Sequence, residues 1–590
     1  MWTQNWRTKI WQNLDQDWDI VIVGGGITGA GILREAVRLG LRVLLVEQRD
    51  FAWGTSSRSS KLVHGGFRYL KEGKLGLTMA SVQEREQLLA EGPGLIDPLG
   101  FLLATYEGDK MGRMVYEAGL TVYDLLALQW SHEYYSPADF RMMAPHLTGS
   151  GLKGGFRYGD ALTDDARLTL RVIREAVADG GTAVNYVKAI KLLQDETGQV
   201  TGIRLQDHET TQTKDVPARL VINATGAWAD KLRGQVGGEE KIRPLRGSHL
   251  IFPSWRLPVA QAVSFLHPLD QRPVFIFPWE GITLIGTTDA DHKTALDEEP
   301  GITPDEVAYL MAAIESQFPS LGITLADVTA SFAGVRPVIG SGKADPSEES
   351  RDHVVWEENG LLTVTGGKLT TFRLIALDVL KAARHHFPDL PELDDKQPVL
   401  KQVTSELPGQ LDKFTQRRLL GRYGQDAATL LAAAQPDELS PIADTPYLWA
   451  ELRWAARAEG VIHLDDLLLR RVRLGLLLPE GGAGYLARIR TICQPELGWD
   501  NAKWEAEAAA YQALWLRSYS LPEDVPDWRV MLAQREELEP MPPRFPAKPV
   551  ILPGVLTLMA LVLALLWWRR RKDTYSCRGF QRSITKLPGS

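Results

Sequence analysis

The run Asp19-Ile20-Val21-Ile22-Val23, followed at once by Gly24-Gly25-Gly26-Ile27-Thr28-Gly29, leaves this chain few folds to choose from. The apolar run reads as a buried strand, and the glycine turn opens a helix. Leu41-Arg42-Val43-Leu44-Leu45-Val46 then reads as a second strand that ends on Glu47. Such a strand–turn–helix–strand unit holds a dinucleotide. Gly24 permits the tight turn, Gly26 lets backbone approach a pyrophosphate, and Gly29 lets the helix pack on the sheet. The helix N-terminus adds amide donors and the positive end of a dipole for the phosphates. Glu47 stands 47 − 29 = 18 residues past the last of these glycines. A carboxylate there can accept from both ribose hydroxyls and would repel a 2′-phosphate. The unit by itself leaves FAD and NAD both open.

A length of 590 residues gives room for two or three domains. Hydrophobic residues at 44% and charged residues at 24% describe a globular enzyme and exclude a disordered or fibrous chain. A net charge of −8 argues against nucleic acid as the main partner. Cys493 and Cys577 are far apart, with no CxxC and no His/Cys cluster. The expectation is therefore no disulfide framework, no metal site and a reducing compartment.

Strand-like and helical runs alternate up to about Ala383. Leu220-Val221-Ile222 leads into Asn223-Ala224-Thr225-Gly226, and Leu361-Leu362-Thr363-Val364 leads into Thr365-Gly366-Gly367-Lys368. Small and hydroxylated residues directly after a buried strand let backbone amides approach a ligand. Leu250 to Thr288 is rich in β-formers and prolines and predicts an antiparallel layer. Residues 400–520 carry Leu, Ala and Trp at helical spacing. Prolines from Pro522 to Pro549 predict a stiff, extended linker over 521–549.

Both ends are unusual. In the leader, residues 1–16 and just beyond, Trp2, Trp6, Ile10, Leu14 and Trp18 recur every four residues. That gives a helix with an apolar face, either docked on its own domain or lying in a membrane interface. Residues 550–568 contain no charge, and Arg569, Arg570, Arg571 and Lys572 follow directly. Nineteen helical residues span roughly 28 Å, about one bilayer core, so a membrane segment is expected. Its orientation stays open. The basic tail, 569–590, favours the cytoplasmic side, yet the N-terminal part carries no export signal and stays there too. Either the tail crosses against its charge, or the segment is re-entrant or interfacial.

After Glu47 comes a hydroxyl-dense loop, Gly54-Thr55-Ser56-Ser57-Arg58-Ser59-Ser60-Lys61, running into Leu62-Val63-His64-Gly65-Gly66-Phe67-Arg68-Tyr69-Leu70. With it go GGGITGAGI, Asp164-Asp165-Ala166-Arg167-Leu168, NATGAW, Arg246-Gly247-Ser248-His249, GTTD at Gly286 to Asp289, Gly334-Val335-Arg336-Pro337, and GGKLTTFR at Gly366 to Arg373. In these stretches, and in their order from about residue 17 to 390, the chain resembles the FAD-dependent glycerol-3-phosphate dehydrogenases, within the amine-oxidase-like flavoproteins. The helical C-terminal part resembles that family's cap domain.

The resemblance implies an α/β fold: a Rossmann-like βαβ FAD-binding domain, an antiparallel-sheet substrate domain and a helical C-terminal cap. Within a core of 17–390, the FAD-binding segments would cover about 17–100, 155–240 and 335–390, and the substrate segments about 101–154 and 241–334. It implies that Gly24, Gly26, Gly29 and Glu47 hold the ADP half of FAD. Thr55, Ser56 and Ser57 would face the pyrophosphate and flavin, Gly226 the adenine side, and Val187 would offer its backbone to the adenine. Lys368 and Leu369 would lie beside the flavin ring. Arg68, Tyr69, Arg336, Arg351 and Lys368 would bind substrate. His64, His249, Arg336 and Lys368 would serve the reaction. The implied activity oxidises sn-glycerol 3-phosphate to dihydroxyacetone phosphate and passes electrons to a membrane quinone. The protein would sit on the lipid bilayer of the inner membrane with its catalytic part facing the cytoplasm, and a homodimer is one permitted assembly.

The residue types suit that chemistry. Planar guanidinium forks clamp phosphate oxygens bidentately, a histidine suits removal of the hydroxyl proton, and a cation near the ring favours the reduced flavin. Each residue also has a plainer reading. Arg336 before Pro337 fits a surface turn, Arg351 can pair with Glu348 or Glu349, and His64 can bond a backbone carbonyl. The choice of base between His64 and His249 stays open. The extension beyond 550 falls outside the family's common core. The stretch Gly340 to Gly360 is short where related oxygen-using oxidases tend to carry an insertion. Its shortness favours a dehydrogenase over an oxidase giving peroxide. A non-catalytic, membrane-tethered flavoprotein sensor is the third reading, and a phosphate clamp beside the ring argues against it.

Overall fold

The structure is a computed structural model that describes residues 2–537, apart from 4, 72, 110–111, 341–348, 350–351, 404–405 and 408; of 68, 71 and 535–537 it describes the backbone only. The hydrophobic segment 550–568, the basic tail 569–590 and Arg351 lie outside the described residues.

Two sheets carry the fold. The first has eight strands, six of them in the order Val354–Glu358, Leu361–Thr365, Thr213–Asn223, Trp18–Val23, Val43–Val46, Thr182–Val184. Its central pairings are parallel. Ile20, Val21, Ile22, Leu44 and Leu45 are fully buried, as expected where helices cover a parallel sheet. Helices Ile27–Arg38, Asp165–Ala178 and Phe372–Ala382 share one core with it, through Leu33, Ala36, Leu168, Ile173, Ile375 and Val379.

The second sheet has ten strands and is antiparallel save for one parallel pair, Ala262–Leu266 on Ile96–Tyr106. It includes the expected layer over Ile242–Pro253, Pro273–Trp279 and Ile282–Gly286. Leu62–Val63, Ile96–Tyr106, all of Leu152–Thr163 and Ala330–Ile339 belong to this second sheet. These strands alternate between faces that are both covered, so their sequence texture does not mark the crossing from one sheet to the other.

The C-terminal part is helical, with Lys413–Tyr423, Trp449–Ala458, Leu486–Leu497 and Asn501–Ser518 among its helices. Part of the expected extended linker is helical too. Trp528–Glu537 forms a helix whose Trp528 is buried beside Leu521, Val525 and Met531. No proline falls between 527 and 539, so nothing interrupts the amide ladder there.

The leader helix, Trp6–Gln12, docks on its own domain. Trp2, Leu14 and Trp18 are buried, and Trp2 stacks on Phe51 at 5.0 Å and donates its indole N–H to the Ala183 carbonyl (3.2 Å). Its tryptophans pack on protein, so the docked reading holds. Among the described residues no helix is long and apolar enough to cross a membrane.

Candidate active site

The central strands of the parallel sheet stop level with one another. Val23 pairs with both Val46 and Asn223, and Asn223 with Thr363. The glycine turn, Glu47, the Asn223–Gly226 turn and the Thr365–Lys368 turn therefore open along one edge, the carboxyl edge where ligands bind such sheets.

Backbone geometry at this edge demands glycine. Gly24 has φ +116°, and a Cβ there would stand 2.5 Å from the Ala224 carbonyl oxygen. At Gly29 a Cβ would stand 1.9 Å from the Gly24 carbonyl oxygen. Gly26 caps the helix, and the amide of Ile27 is met by Ser56 Oγ at 2.9 Å. Thr55 and Ser57 share the same short turn as Ser56; the Thr55 hydroxyl donates to the Val335 carbonyl. The Ser57 carbonyl accepts from Lys61 Nζ (3.0 Å) and from Arg473 Nη2 (2.8 Å).

Glu47 accepts from the amides of Gly25 (2.7 Å) and Arg49 (2.8 Å). Burial pushes its pKa up, and those two bonds oppose the rise. The Gln48 amide opposes it as well, and a carboxylate's roughly four acceptor positions still leave room for a ribose hydroxyl. Glycine cradle, helix N-terminus, hydroxyl loop and strand-end acid together fit the ADP half of FAD. Val187 donates its N–H to the Glu47 carbonyl at 2.8 Å, so of its backbone the carbonyl is what could face an adenine. That bond joins two adjacent strand ends, which motif order alone does not reveal. Gly226, with φ +59°, lies between Thr365, whose hydroxyl donates to its carbonyl (3.2 Å), and Pro337.

A second set of side chains gathers around Lys368. Gly366 and Gly367, with φ of +81° and +82°, turn the chain so that Lys368 Nζ lies 3.9 Å from the Tyr69 ring centre and 2.9 Å from Ser81 Oγ. Thr370, beside Leu369 in the next short turn, bonds both the N–H (3.1 Å) and the carbonyl (3.2 Å) of His64. Gly65, next in chain, donates to Asp160 (3.0 Å), and a Cβ there would meet Val82 at 2.2 Å. His64, Tyr69 and Lys368 are thus brought together. Arg68 lies on the same short helix, Phe67–Lys71.

Arg336 lies within the strand Ala330–Ile339 and pairs with Leu245, so the surface-turn reading falls. Its guanidinium donates to Thr287 Oγ1 (2.7 Å), to the Thr288 carbonyl (3.3 Å) and to Asp289 (3.1 Å). Gly247 faces it, and a Cβ at that position would stand 2.1 Å from Arg336 Nη2.

His249 is fully buried and stacks on Phe332 at 4.6 Å. Burial, with Arg336 and Lys61 nearby, pushes its imidazole well below the usual histidine range, so the ring is neutral. Ser60 Oγ lies 3.0 Å from Nε2, while Nδ1 is buried with no hydrogen-bond partner. Ser60, Ser81, Thr287, Asp289 and Thr370 were not singled out from sequence. All but Ser81 lie in a recognised motif, while Ser81 comes from the helix Leu75–Glu91; which hydroxyl meets which ring or cation depends on how the elements pack.

Comparison with known proteins gives concordant matches. Residues 19–373 match the FAD dependent oxidoreductase family, and residues 383–504 match a family described as the C-terminal domain of alpha-glycerophosphate oxidase. The aerobic glycerol-3-phosphate dehydrogenase of Staphylococcus saprophyticus is 34% identical over 531 residues, covering 85% of this chain and 95% of that one. Glycerol-3-phosphate dehydrogenase 2 of Mycobacterium bovis is 34% identical over 567 residues, covering 91% and 96%. Among solved structures, the glycerol-3-phosphate dehydrogenase from Bacillus halodurans complexed with FAD superimposes with a TM-score of 0.71 at 28% identity, covering 88% of this chain and 98% of that one.

Proposed function

The chain belongs to the FAD dependent oxidoreductase family and, within it, to the glycerol-3-phosphate dehydrogenases; from that premise we propose that it oxidises sn-glycerol 3-phosphate to dihydroxyacetone phosphate and passes the electrons to a membrane quinone. One observation carries the reading: the hydroxyl loop of the dinucleotide cradle is bonded to the strand of Arg336, through Thr55 and Val335. A fixed guanidinium therefore stands one residue from the cofactor loop.

FAD, which Gly24, Gly26, Gly29, Glu47 and the Thr55–Ser57 loop would hold, would supply the two-electron oxidant for C2. The chain does the rest. Arg336, held by Thr287 and Asp289, receives the phosphate, and Lys368, seated on Tyr69 and Ser81, supplies a second oriented cation. Arg68 and Arg351 are the further cations that the family resemblance assigns to the substrate. The C2 hydroxyl proton goes to a histidine. A neutral imidazole is competent for this, and His249 is held neutral by burial. His64 is the second candidate. The uncharged segment 550–568 anchors the catalytic part to the cytoplasmic face of the inner membrane.

Turnover of purified, FAD-loaded protein with glycerol 3-phosphate and a quinone-like dye tests the proposal, with peroxide measured in parallel under air. Dye reduction with little peroxide is expected. Absence of turnover with FAD bound refutes the activity, and peroxide as the main product replaces quinone by oxygen as the acceptor. Arg336→Ala should raise the apparent KM for substrate by orders of magnitude, and an unchanged KM removes Arg336 from the clamp.

A further inference from the structure

Away from this site, three potential ligand atoms converge where the reaction has no use for them. Glu357 lies on the strand Val354–Glu358, and His385 and His386 close the turn Ala383–His386 that follows the helix Phe372–Ala382. Both Nε2 atoms stand over one oxygen, Glu357 Oε1, at 3.2 Å from His385 and 3.0 Å from His386. Ligands held at about 2.0–2.1 Å around one tetrahedral zinc ion stand roughly 3.3 Å apart. Two edges of the cluster are already close to that length, and all three ligand atoms lie within 4.8 Å of one another.

Proton placement points the same way. His385 Nδ1 lies 2.9 Å from the Ala382 carbonyl, which can only accept, so Nδ1 carries the hydrogen. A neutral His385 then turns an Nε2 lone pair toward a carboxylate oxygen. The two rings stand 4.1 Å apart, centre to centre, with both Nε2 atoms on the Glu357 side. One divalent ion satisfies all three ligands. An imidazole anchored through Nδ1–H to a backbone carbonyl is also how metal-bound histidines are oriented.

We propose that Glu357, His385 and His386 form a binding site for one divalent transition-metal ion of the zinc class, with water filling the open side. Two imidazoles and one carboxylate select such ions over calcium or magnesium. The sequence expectation of no metal is thereby revised. It looked for ligands at short spacing, and Glu357 is 28 residues from His385. A bound ion ties the hairpin Val354–Thr365 to the end of the helix Phe372–Ala382. Both elements lead into the turn that carries Lys368, so the ion braces that turn from its far side. The site stands independently of the proposed reaction.

The test uses full-length, FAD-loaded protein stripped with a chelator and titrated with zinc sulfate in a calorimeter. A single zinc ion per chain is expected, with its affinity reduced roughly tenfold or more in Glu357→Ala and in His386→Ala. Zinc should raise the unfolding temperature of the parent and not of those variants. His353→Ala, a neighbouring histidine paired with Asp378 instead, should bind as the parent does. All three substitutions are at solvent-accessible positions, and retained FAD verifies folding. Absence of zinc binding, or binding unchanged in Glu357→Ala and His386→Ala, overturns the proposal.

Discussion

Beneath the glycine turn, Ile20, Ile22, Leu45, Leu220 and Ile222 are wholly buried among apolar neighbours. Across the seam to the helical C-terminal region, the side chains buried as deeply are Asp50, Asp164, Asp165, Arg167, Glu459, Arg470, Arg471 and Arg473. Arg471 grips both oxygens of Asp50 at 2.7 Å, Arg422 reaches Asp164 at 2.6 Å, and Arg473 reaches Asp165 at 3.0 Å. Arg470 and Arg471 hold Asp50 down at about 2 against a burial that would raise it. The first region is held by non-directional burial and tolerates small changes of shape. The second has already met the desolvation cost of its charges and tolerates no missing partner. It also reaches the cofactor loop, because Arg473 and Lys61 both donate to the Ser57 carbonyl. The C-terminal region is thereby part of what shapes the FAD cradle.

The largest effect should come in the glycine turn itself, which leaves no room at all. Gly29→Ala drives a methyl into the Gly24 carbonyl, and purified protein should carry no yellow flavin absorbance; retention of flavin would mean the turn is looser than described. Next comes Arg167→Met, which strips the bidentate partner from Glu459 (2.6 and 2.9 Å). Denaturant unfolding should show a loss of about 3–5 kcal/mol, and a loss below that range would place the seam in the same class as the apolar core. Ile222→Val, the matching probe beneath the turn, should cost about 0.5–1.5 kcal/mol in the same assay.

A pH dependence probes the charged side of the comparison separately. His463, on the C-terminal side, lies 3.3 Å from Glu209 and 3.0 Å from Glu507. Burial alone would lower its pKa, but the bonds to Glu209 and Glu507 raise it to about 10. An unfolded histidine titrates near 6.5. The stability from this ion cluster is thus complete below about pH 6.5 and is lost as pH climbs toward 10. The stability gap between parent and His463→Asn should shrink over that window, and a constant gap would mean the ring is uncharged throughout.

The contrast also explains what could be read from the chain. The strand, the glycines and Glu47 were legible because period and turn chemistry act over a few residues. The stretch Asp164 to Leu168 was legible as a motif but not as a hinge of the seam, because its partners Arg422, Glu459 and Arg473 come from another part of the chain. That Leu62–Val63 and Leu152–Thr163 pair in one sheet was not legible for the same reason. Arg336, His249 and Lys368 were singled out through the family resemblance, while Ser60, Thr287 and Ser81, which bond them, became visible only once distant elements were packed together.

The account rests on FAD lying beside a fixed cationic clamp for a phosphorylated alcohol. Glycerol 3-phosphate added without oxygen to the yellow, FAD-loaded protein tests this most directly. The account predicts that the flavin band bleaches with glycerol 3-phosphate, does not bleach with glycerol, and responds in Arg336→Ala only at far higher substrate concentration. A band that stays unchanged with glycerol 3-phosphate, or that bleaches equally with glycerol, would contradict it.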